Sequence, residues 1–459
     1  MNEEKTKNIE LITGNPKKAI VKLAYPMFFT LFLMMIYNFV DSIWVVGLGP
    51  EALAAIGFVS PLYWVLLGIS NGVGASANSL IARNIGANDY NQANNAALHS
   101  ILLSTIIAVI ITVIMLVFMV PILNLIGVGS TIQYAMDYSY VVFGFMIILV
   151  FEELLSSIFR AEGDMHHATI AIAITAITNI LLDPLFIYVF NLGMAGAAWA
   201  TAISSALACI IMIYWIWVKK KLYLDLYPKN FSFQKNLITE NLQIALPSSL
   251  ETTISSSMMM ILNSMLIIVG GYAAVGVFNV GMNIITLGTL PVSAIGVAVI
   301  TVVGVAYGSK NAENMKITHS YGVKICLGIC VLSMILISVF APQIALLFSY
   351  NNASSSLTSQ ITNTLPILSL YIISLPFGAI STMTFQGCGK GVNSLLITLL
   401  RYFILNIIFA YLFSFVCGWG VNGVYAGFIL GSLVGGLFGY AWVKSFIRKF
   451  KKSLVKNSS

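Results

Sequence analysis

The chain has 459 residues, of which 59% are hydrophobic and 8% are charged, against roughly 25% charged in an average soluble domain. So much apolar surface excludes a water-soluble globular fold. The formal net charge of +7 does not indicate a nucleic-acid partner, because the basic residues lie in short runs between apolar stretches, where such residues orient a chain in a bilayer. The five cysteines are scattered through the chain and predict neither a disulfide framework nor a metal site.

Twelve apolar stretches follow one another along the chain. A helix needs roughly 20 residues to cross about 30 Å of hydrocarbon. Stretches of at least this length lie near 20–46, 52–80, 95–120, 133–158, 168–190, 194–218, 240–269, 274–306, 317–341, 358–385, 391–415 and 421–446. The sequence therefore predicts an all-α membrane protein with twelve transmembrane helices.

Basic residues alternate between the connections. Of the 23 Lys and Arg, all but Lys324 and Arg401 fall in or beside alternate connections. These two lie inside helices that directly follow two of those connections. The opposite loops carry no Lys or Arg and lie near 47–51, 121–132, 191–193, 270–273, 342–357 and 416–420. Because cytoplasmic loops collect positive charge, we predict a multi-pass protein of the cell membrane with both termini in the cytoplasm.

The two halves of the chain resemble each other. Matched segments recur at offsets of about 221 to 227 residues: AYPMFF (24–29) with ALPSSL (245–250), FRAEGD (159–164) with FQGCGK (385–390), and GMAGAAWA (193–200) with GVNGVYAG (420–427). Six helices per half give both halves the same orientation, related by an axis along the membrane normal, which is a plan of secondary transporters. We predict an N-lobe (1–218), a cytoplasmic linker (219–239) and a C-lobe with a basic tail (240–459).

Two aspartates lie deep in the membrane in the first half only. Asp41 lies 15 residues beyond Pro26, roughly 22 Å along helix 1, and Asp183 lies at a similar depth in helix 5. The equivalent positions of the second half are near Leu262 and Phe409. An ionisable side chain in hydrocarbon is costly and usually functional, so this pair is a candidate ion site.

Other oxygen-bearing side chains lie at comparable depth. Tyr37 and Asn179 precede the two aspartates by one helical turn on the same faces, and Asn38, Tyr138 and Thr201 complete the set. This cluster suits a proton relay or a hard cation such as sodium. The alternative is a hydrogen-bonded pair that holds helices together. No resident metal or organic cofactor is expected.

Prolines and second-half charges leave alternatives open. Pro26 and Pro184 weaken backbone hydrogen bonding and mark either places where a helix changes its bend or static kinks. Glu251 and Arg401 have matching depths and indicate an ion pair that packs the C-lobe, or else part of a substrate or second ion site.

The remaining features narrow the class of function. Four methionines are candidates for the wall of a deformable substrate cavity that takes varied ligands: Met34, Met35, Met258 and Met282. Each of them also fits ordinary packing in the membrane core. Glu152 and Glu153 receive no role, because helix 4 places them near its inner end. Neither a phosphate-binding GxxxxGK[ST] loop nor a catalytic cluster is present, so we expect neither ATP drive within this chain nor an enzyme.

Several motifs together resemble one transporter family. They are Tyr37-Asn38 ahead of Asp41 with Pro26 upstream, FRAEGD (159–164), NILLDP (179–184) and GMAGAAWAT (193–201). Their order and spacing resemble the multidrug and toxic compound extrusion (MATE) family of the MOP superfamily, in particular its DinF-like prokaryotic branch. The resemblance implies two six-helix lobes related by a pseudo-twofold axis and cation coupling in the N-lobe at Asp41, Asn179, Asp183 and Thr201, with Tyr138 in the same pocket.

The expected function is secondary active efflux. The resemblance implies export of amphipathic, often cationic, organic compounds by a monomer, in antiport with H⁺ or Na⁺. The alternative is a flippase for lipid-linked precursors, a class that more often carries cationic residues in its cavity. Here only Arg401 and Lys324 are inside helices.

Overall fold

The regular structure is entirely helical in the part of the chain that the computed structural model describes, which is residues 3–227, 229, 231–347 and 358–458. Part of the predicted loop near 342–357 lies outside these ranges. The helices are α1 (Glu3–Thr13), α2 (Pro16–Val46), α3 (Pro50–Gly86), α4 (Tyr90–Ile126), α5 (Ile132–Gly144), α6 (Met146–Ala161), α7 (Met165–Pro184), α8 (Gly193–Ile213), α9 (Lys235–Gly308), α10 (Ala312–Val339), α11 (Ala341–Leu347), α12 (Thr358–Ser369), α13 (Tyr371–Gly387), α14 (Gly391–Thr398), α15 (Asn406–Tyr411) and α16 (Gly420–Ser458).

The helices account for the twelve expected spans. Among the described residues, ten helical stretches are long and apolar enough to cross a membrane, and α5 with α6, bent by 47°, form one more. The 74-residue α9 contains a break, because Gly271 has a φ of 68° and a ψ of −170°, which is not helical. Counting the two parts of α9 separately gives twelve spans.

The internal duplication is visible in the backbone. Asn88 and Lys310 occupy equivalent positions and both have a left-handed φ, 58° and 55°. Directly after them, Asp89 and Asn311 cap α4 and α10, each accepting a hydrogen bond from the backbone N–H three residues on. Such caps satisfy donors that the first turn of a helix leaves free. The two halves therefore share their turn chemistry as well as their helix order.

Small residues allow two helices of each half to approach closely. Along α16 they recur every four residues: Gly423, Gly427, Gly431 and Gly435. A Cβ atom at these positions would collide with backbone atoms between 401 and 414. The equivalent stripe in α8 is Gly196, Ala200, Ser204 and Ala208. Small residues at four-residue spacing are typical of tightly packed membrane helices, and the sequence analysis overlooked this pattern.

A π-helical turn follows the Asp183-Pro184 step. Leu185–Val189 forms this turn, and Pro184 lacks the N–H that an α-helix would use. The equivalent turn of the second half, Leu412–Val416, is also π-helical, although Tyr411 rather than proline precedes it. Proline is therefore not the sole cause of the irregular geometry. Pro26, by contrast, lies inside the continuous helix α2, and a change of bend at either proline stays a prediction.

The chain forms two compact units. Unit 1 comprises Met1–Gly14 and Tyr25–Ser249, and unit 2 comprises Asn15–Ala24 and Leu250–Ser459. In unit 1, the segment after α8 is fixed by the buried Glu162, whose carboxylate accepts hydrogen bonds from the backbone N–H groups of Tyr223 (2.8 Å) and Leu224 (2.7 Å). The lobe boundaries that the sequence predicts at 218 and 240 stay a prediction.

Candidate functional site

The carboxyl groups of Asp41 and Asp183 meet inside unit 1. Asp41 lies near the end of α2 and Asp183 near the end of α7, and the two side chains are within hydrogen-bonding range of each other. Asp183 is fully buried. On each residue the Oδ1 atom is buried and accepts no hydrogen bond from the described residues. The pair therefore consists of two acids that are largely shielded from solvent and that each keep an acceptor atom without a hydrogen bond.

Asn179 connects this pair to α8. In the amide orientation that satisfies its neighbours, Asn179 donates to Oδ2 of Asp183 (3.0 Å) and accepts from the backbone N–H of Thr201 (3.3 Å). Thr201 directs its hydroxyl to the carbonyl oxygen of Ala197 (3.2 Å). Asn179 is fully buried and Thr201 nearly so. The amide thus fixes the position of the Asp183 carboxylate from one side.

Three tyrosines adjoin the acids on the other side. Tyr37 lies within electrostatic range of Asp41, Tyr138 and Tyr63, and its hydroxyl hydrogen-bonds with that of Tyr63. Tyr138 lies within range of both Asp41 and Asp183. Buried phenol groups are usually hydrogen-bonded and can act as donors to a carboxylate. The structure therefore brings together six of the seven residues expected at the ion site.

Asn38 is the exception. Its side chain is exposed, and the amide donates to the carbonyl oxygen of Met34 one turn earlier in α2 (2.6 Å). Because that hydrogen bond holds the amide against its own helix, Asn38 is not joined to Asp41. It lies instead in the wall of a neighbouring cavity.

The cavity has a volume of about 170 Å³ and lies beside the acid pair in unit 1. Its wall includes Met34, Tyr37, Tyr63, Trp64, Glu152 and Thr175. Of the methionines proposed for a substrate cavity, Met34 is in this wall. Met258 is buried, with 2% of its surface exposed, which fits the core-packing interpretation, and Met35 and Met282 are half-buried.

Glu152 and Tyr63 are two of several cavity residues to which the sequence assigned no role. Glu152 lies nine residues before the end of α6 and against the middle of α7, where its carboxylate accepts a hydrogen bond from Thr175 (2.5 Å). One signal was available, since Glu152 and Glu153 interrupt the apolar run MIILVFEELL. An acid inside such a run is itself a candidate functional group.

The ion pair expected between Glu251 and Arg401 is not formed. The carboxylate of Glu251 accepts hydrogen bonds from Ser394 (2.5 Å) and Gln386 (3.3 Å). The buried guanidinium of Arg401 lies 4.1 Å from the ring centre of Tyr402. Neutral donors therefore bond directly to the Glu251 carboxylate, whereas Arg401 contacts an aromatic ring and stays within electrostatic range of Glu251.

No metal site is apparent in the described parts of the chain, where no group of three or more His, Cys, Asp or Glu side chains is placed to hold a metal ion. The two carboxyl groups in contact, with a buried and unbonded Oδ1 on each, can bind a proton or a small cation. The neighbouring cavity can accept a larger molecule.

Comparison with known proteins places this geometry in a family. The chain is 26% identical over 315 residues to the probable multidrug resistance protein NorM of Thermotoga maritima, a match that spans 65% of each chain. It is also similar to an outward-facing structure of a multidrug resistance MATE family transporter of the MOP superfamily (TM-score 0.94, 36% identity, 97% of this chain and 99% of that one).

A further solved structure has the same fold, and its binding pocket is described as suggesting a different function. It is a MOP superfamily transporter from Pyrococcus furiosus Vc1, for which the reverse polarity of the binding pocket suggests a different function (TM-score 0.93, 36% identity, 97% and 99% coverage). The pattern of the MatE family matches residues 26–185 and 247–412, one segment in each half of the duplication. The chain is therefore a multi-pass membrane protein that belongs to the MatE family.

Proposed function

We propose that this protein is a secondary active multidrug exporter, which moves amphipathic and cationic organic compounds outward while H⁺ or Na⁺ moves inward. The MatE family match and the names of its relatives, which are multidrug resistance and export proteins, support efflux. The ion-coupling step is proposed at the Asp41–Asp183 pair.

The contact between the two carboxyl groups carries this proposal. Two ionised carboxylates at hydrogen-bonding range repel each other strongly, so a proton or a cation between them makes the contact favourable. Loading and release of that ion therefore change the energy of the junction between α2 and α7. A ligand shifts a conformational equilibrium only by its differential affinity for the two states, and this pair supplies such a difference.

The ligand set is compatible with either ion. Carboxylate, amide and hydroxyl oxygens from Asp41, Asp183, Asn179 and Thr201 are hard ligands of the kind that small cations prefer. The same carboxyl pair binds one proton without further ligands. Experiment must therefore separate the two ions.

Transport by purified protein in vesicles tests the proposal. With a fluorescent organic cation as substrate, we expect uphill accumulation inside the vesicles when a proton gradient or a sodium gradient directed out of the vesicles is imposed, each varied alone, because ion and substrate move in opposite directions. The gradient that drives accumulation identifies the coupling ion. Movement of phosphate-bearing lipids between the two leaflets, without transport of the fluorescent cation, would contradict efflux and support the flippase alternative.

The orientation of the chain is part of the proposal and has a native reporter. Cys417 is exposed, whereas the other four cysteines are buried, and it lies in the loop 416–420 that is expected outside the cell. A membrane-impermeant maleimide should therefore label intact cells at Cys417 and not the Cys417→Ser variant. In the Cys417→Ser background, a cysteine at Asn311 should react only after permeabilisation. The reverse pattern would show that the termini lie outside.

A further inference from the structure

The cavity in unit 1 has a carboxylate of its own. Glu152 and Glu153 belong to its wall, whereas Asp41 and Asp183 do not. Tyr37 and Thr201 line the cavity and also adjoin the aspartate pair. The cavity and the proposed ion site are therefore neighbouring but separate places in the same lobe.

Neutral hydroxyl groups hold the carboxylate of Glu152. Thr175 of α7 donates to Oε1 (2.5 Å), and Ser205 of α8 also hydrogen-bonds with this carboxylate. Such bonds orient the group between three helices without cancelling its charge. These hydrogen bonds thus fix the position of the Glu152 carboxylate in the cavity wall and leave it able to bind a cation.

The basic residue of the same helix, Arg160, pairs with the neighbouring acid Glu153. The guanidinium of Arg160 pairs with Glu153 and contacts Ser157, and within the described ranges Glu152 forms no ion pair with Lys, Arg or His. A charge in a low-dielectric site that has no partner within the protein favours a ligand of opposite sign.

The other wall residues suit an organic cation. Tyr37, Tyr63 and Trp64 bring three aromatic rings to the cavity, and Met34 adds a flexible apolar side chain. Aromatic rings attract cations electrostatically, and the attraction grows as water is excluded. A carboxylate beside aromatic rings recognises an ammonium group together with the apolar body that carries it.

In the second lobe, an arginine side chain occupies the position equivalent to that of the Glu152 carboxylate. At the repeat offset, Gly378 corresponds to Glu152 and Arg401 corresponds to Thr175. The guanidinium of Arg401 lies against Gly378, closely enough that a Cβ atom there would collide with it. In the first lobe an acid and a hydroxyl group are in contact at these two positions. In the second lobe a glycine and an arginine are in contact there.

We propose that Glu152 binds the ammonium group of the exported cation, in a substrate subsite distinct from the Asp41–Asp183 pair. This inference rests on the proposed efflux function and names its substrate class as organic ammonium compounds. Because Tyr37 lies within electrostatic range of both Asp41 and Glu152, cations bound at the two sites would repel each other. Binding of one therefore weakens binding of the other, reciprocally.

Equilibrium binding without any ion gradient tests the subsite. Benzyltrimethylammonium, a permanent cation with an aromatic body, is titrated calorimetrically into the purified full-length protein. Glu152→Gln keeps an acceptor for Thr175 but removes the charge, and it should bind the probe roughly 10- to 100-fold more weakly, the range for a lost charged contact. Glu152→Asp, which restores the charge, should recover part of the affinity.

Asp137→Asn is the matched control, because Asp137 belongs to the same unit but pairs with Gln133 (2.9 Å) outside the cavity. It should bind as the wild type does. Equal affinity of Glu152→Gln and wild type, or no binding to the wild type, would overturn the subsite. Failure of gradient-driven transport with intact, Glu152-dependent binding would instead remove the proposed coupling and leave the subsite standing.

Discussion

Replacing Asp41 or Asp183 by asparagine is expected to reduce ion-driven export to the level of protein-free vesicles. Asparagine preserves the size of each side chain but binds neither a proton near neutral pH nor a cation with full charge. The carboxyl contact between α2 and α7 would then no longer respond to ions. Uptake of a fluorescent cation into proteoliposomes under an imposed gradient measures the effect.

The control must separate coupling from folding. Asp137→Asn removes an acid of the same lobe that pairs with Gln133 instead of another acid, so its transport should match that of the wild type. All three variants should elute from size-exclusion columns as the wild type does. Full gradient-driven transport by both Asp41→Asn and Asp183→Asn would refute the assignment of this pair.

Substitution of Gly427 by leucine is expected to prevent folding of the second lobe. A Cβ atom on Gly427 would collide with the backbone of Ala410, and backbone of a packed helix cannot move aside as a flexible side chain can. Overpacking at such a site costs about 3 kcal/mol or more, a large share of the 5–15 kcal/mol that stabilises a typical fold. Loss of monodisperse protein after detergent extraction is the readout.

Gly328→Leu is the matched control for this prediction. Gly328 lies in α10 of the same unit, and a Cβ atom there meets nothing within 4 Å. The variant should therefore be extracted and eluted as the wild type is. Normal folding of Gly427→Leu would show that α16 does not need the close approach to the backbone of residues 401–414.

The number and order of the helices could be predicted because the bilayer fixes their length and charge placement. Hydrocarbon thickness sets a minimum of roughly 20 apolar residues per span, and the matched segments separate two equal halves. The break at Gly271 follows from the same duplication, since Gly49 separates α2 from α3 in the first half. Each of these features depends only on the order and spacing of residues along the sequence.

The meeting of Asp41 and Asp183 was also accessible from the sequence. Their depths could be counted in residues from the cytoplasmic ends of two helices of one half, and depth is linear in residue number along a helix. Asn179 was placed correctly one turn before Asp183 for the same reason. Which side chains face each other across helices, however, depends on rotation about the helix axis, which depth does not determine.

Two residues illustrate that limit. Arg401 and Glu251 were predicted at matching depths, yet the guanidinium lies on Tyr402, and the oxygens of Glu251 accept hydrogen bonds from Ser394 and Gln386. Glu152 was placed near a helix end, but α6 continues nine residues beyond it to Ala161, and its carboxylate meets Thr175 of α7. Neither the exact end of a helix nor the choice among neutral hydrogen-bond donors has a periodic signature in sequence.

The two lobes have kept one scaffold and exchanged its polar groups. One pair of helix caps, the left-handed turns before them and one pair of π-helical turns recur at equivalent positions, whereas the acids Asp41, Glu152 and Asp183 have no acidic counterpart at the repeat offset. The duplication thus preserved backbone conformations at the turns, although the residues at these positions differ. The groups that we propose to bind ions and ligands also differ between the halves, as a division of labour between the lobes requires.

Ion movement driven by substrate tests the central claim most directly. Vesicles that contain a pH-sensitive or sodium-sensitive dye receive a gradient of the organic cation and no ion gradient. The wild type should then move protons or sodium ions in the direction opposite to the substrate, and Asp41→Asn and Asp183→Asn should move none. Substrate-driven ion movement of wild-type size in both variants would contradict ion coupling at the Asp41–Asp183 pair.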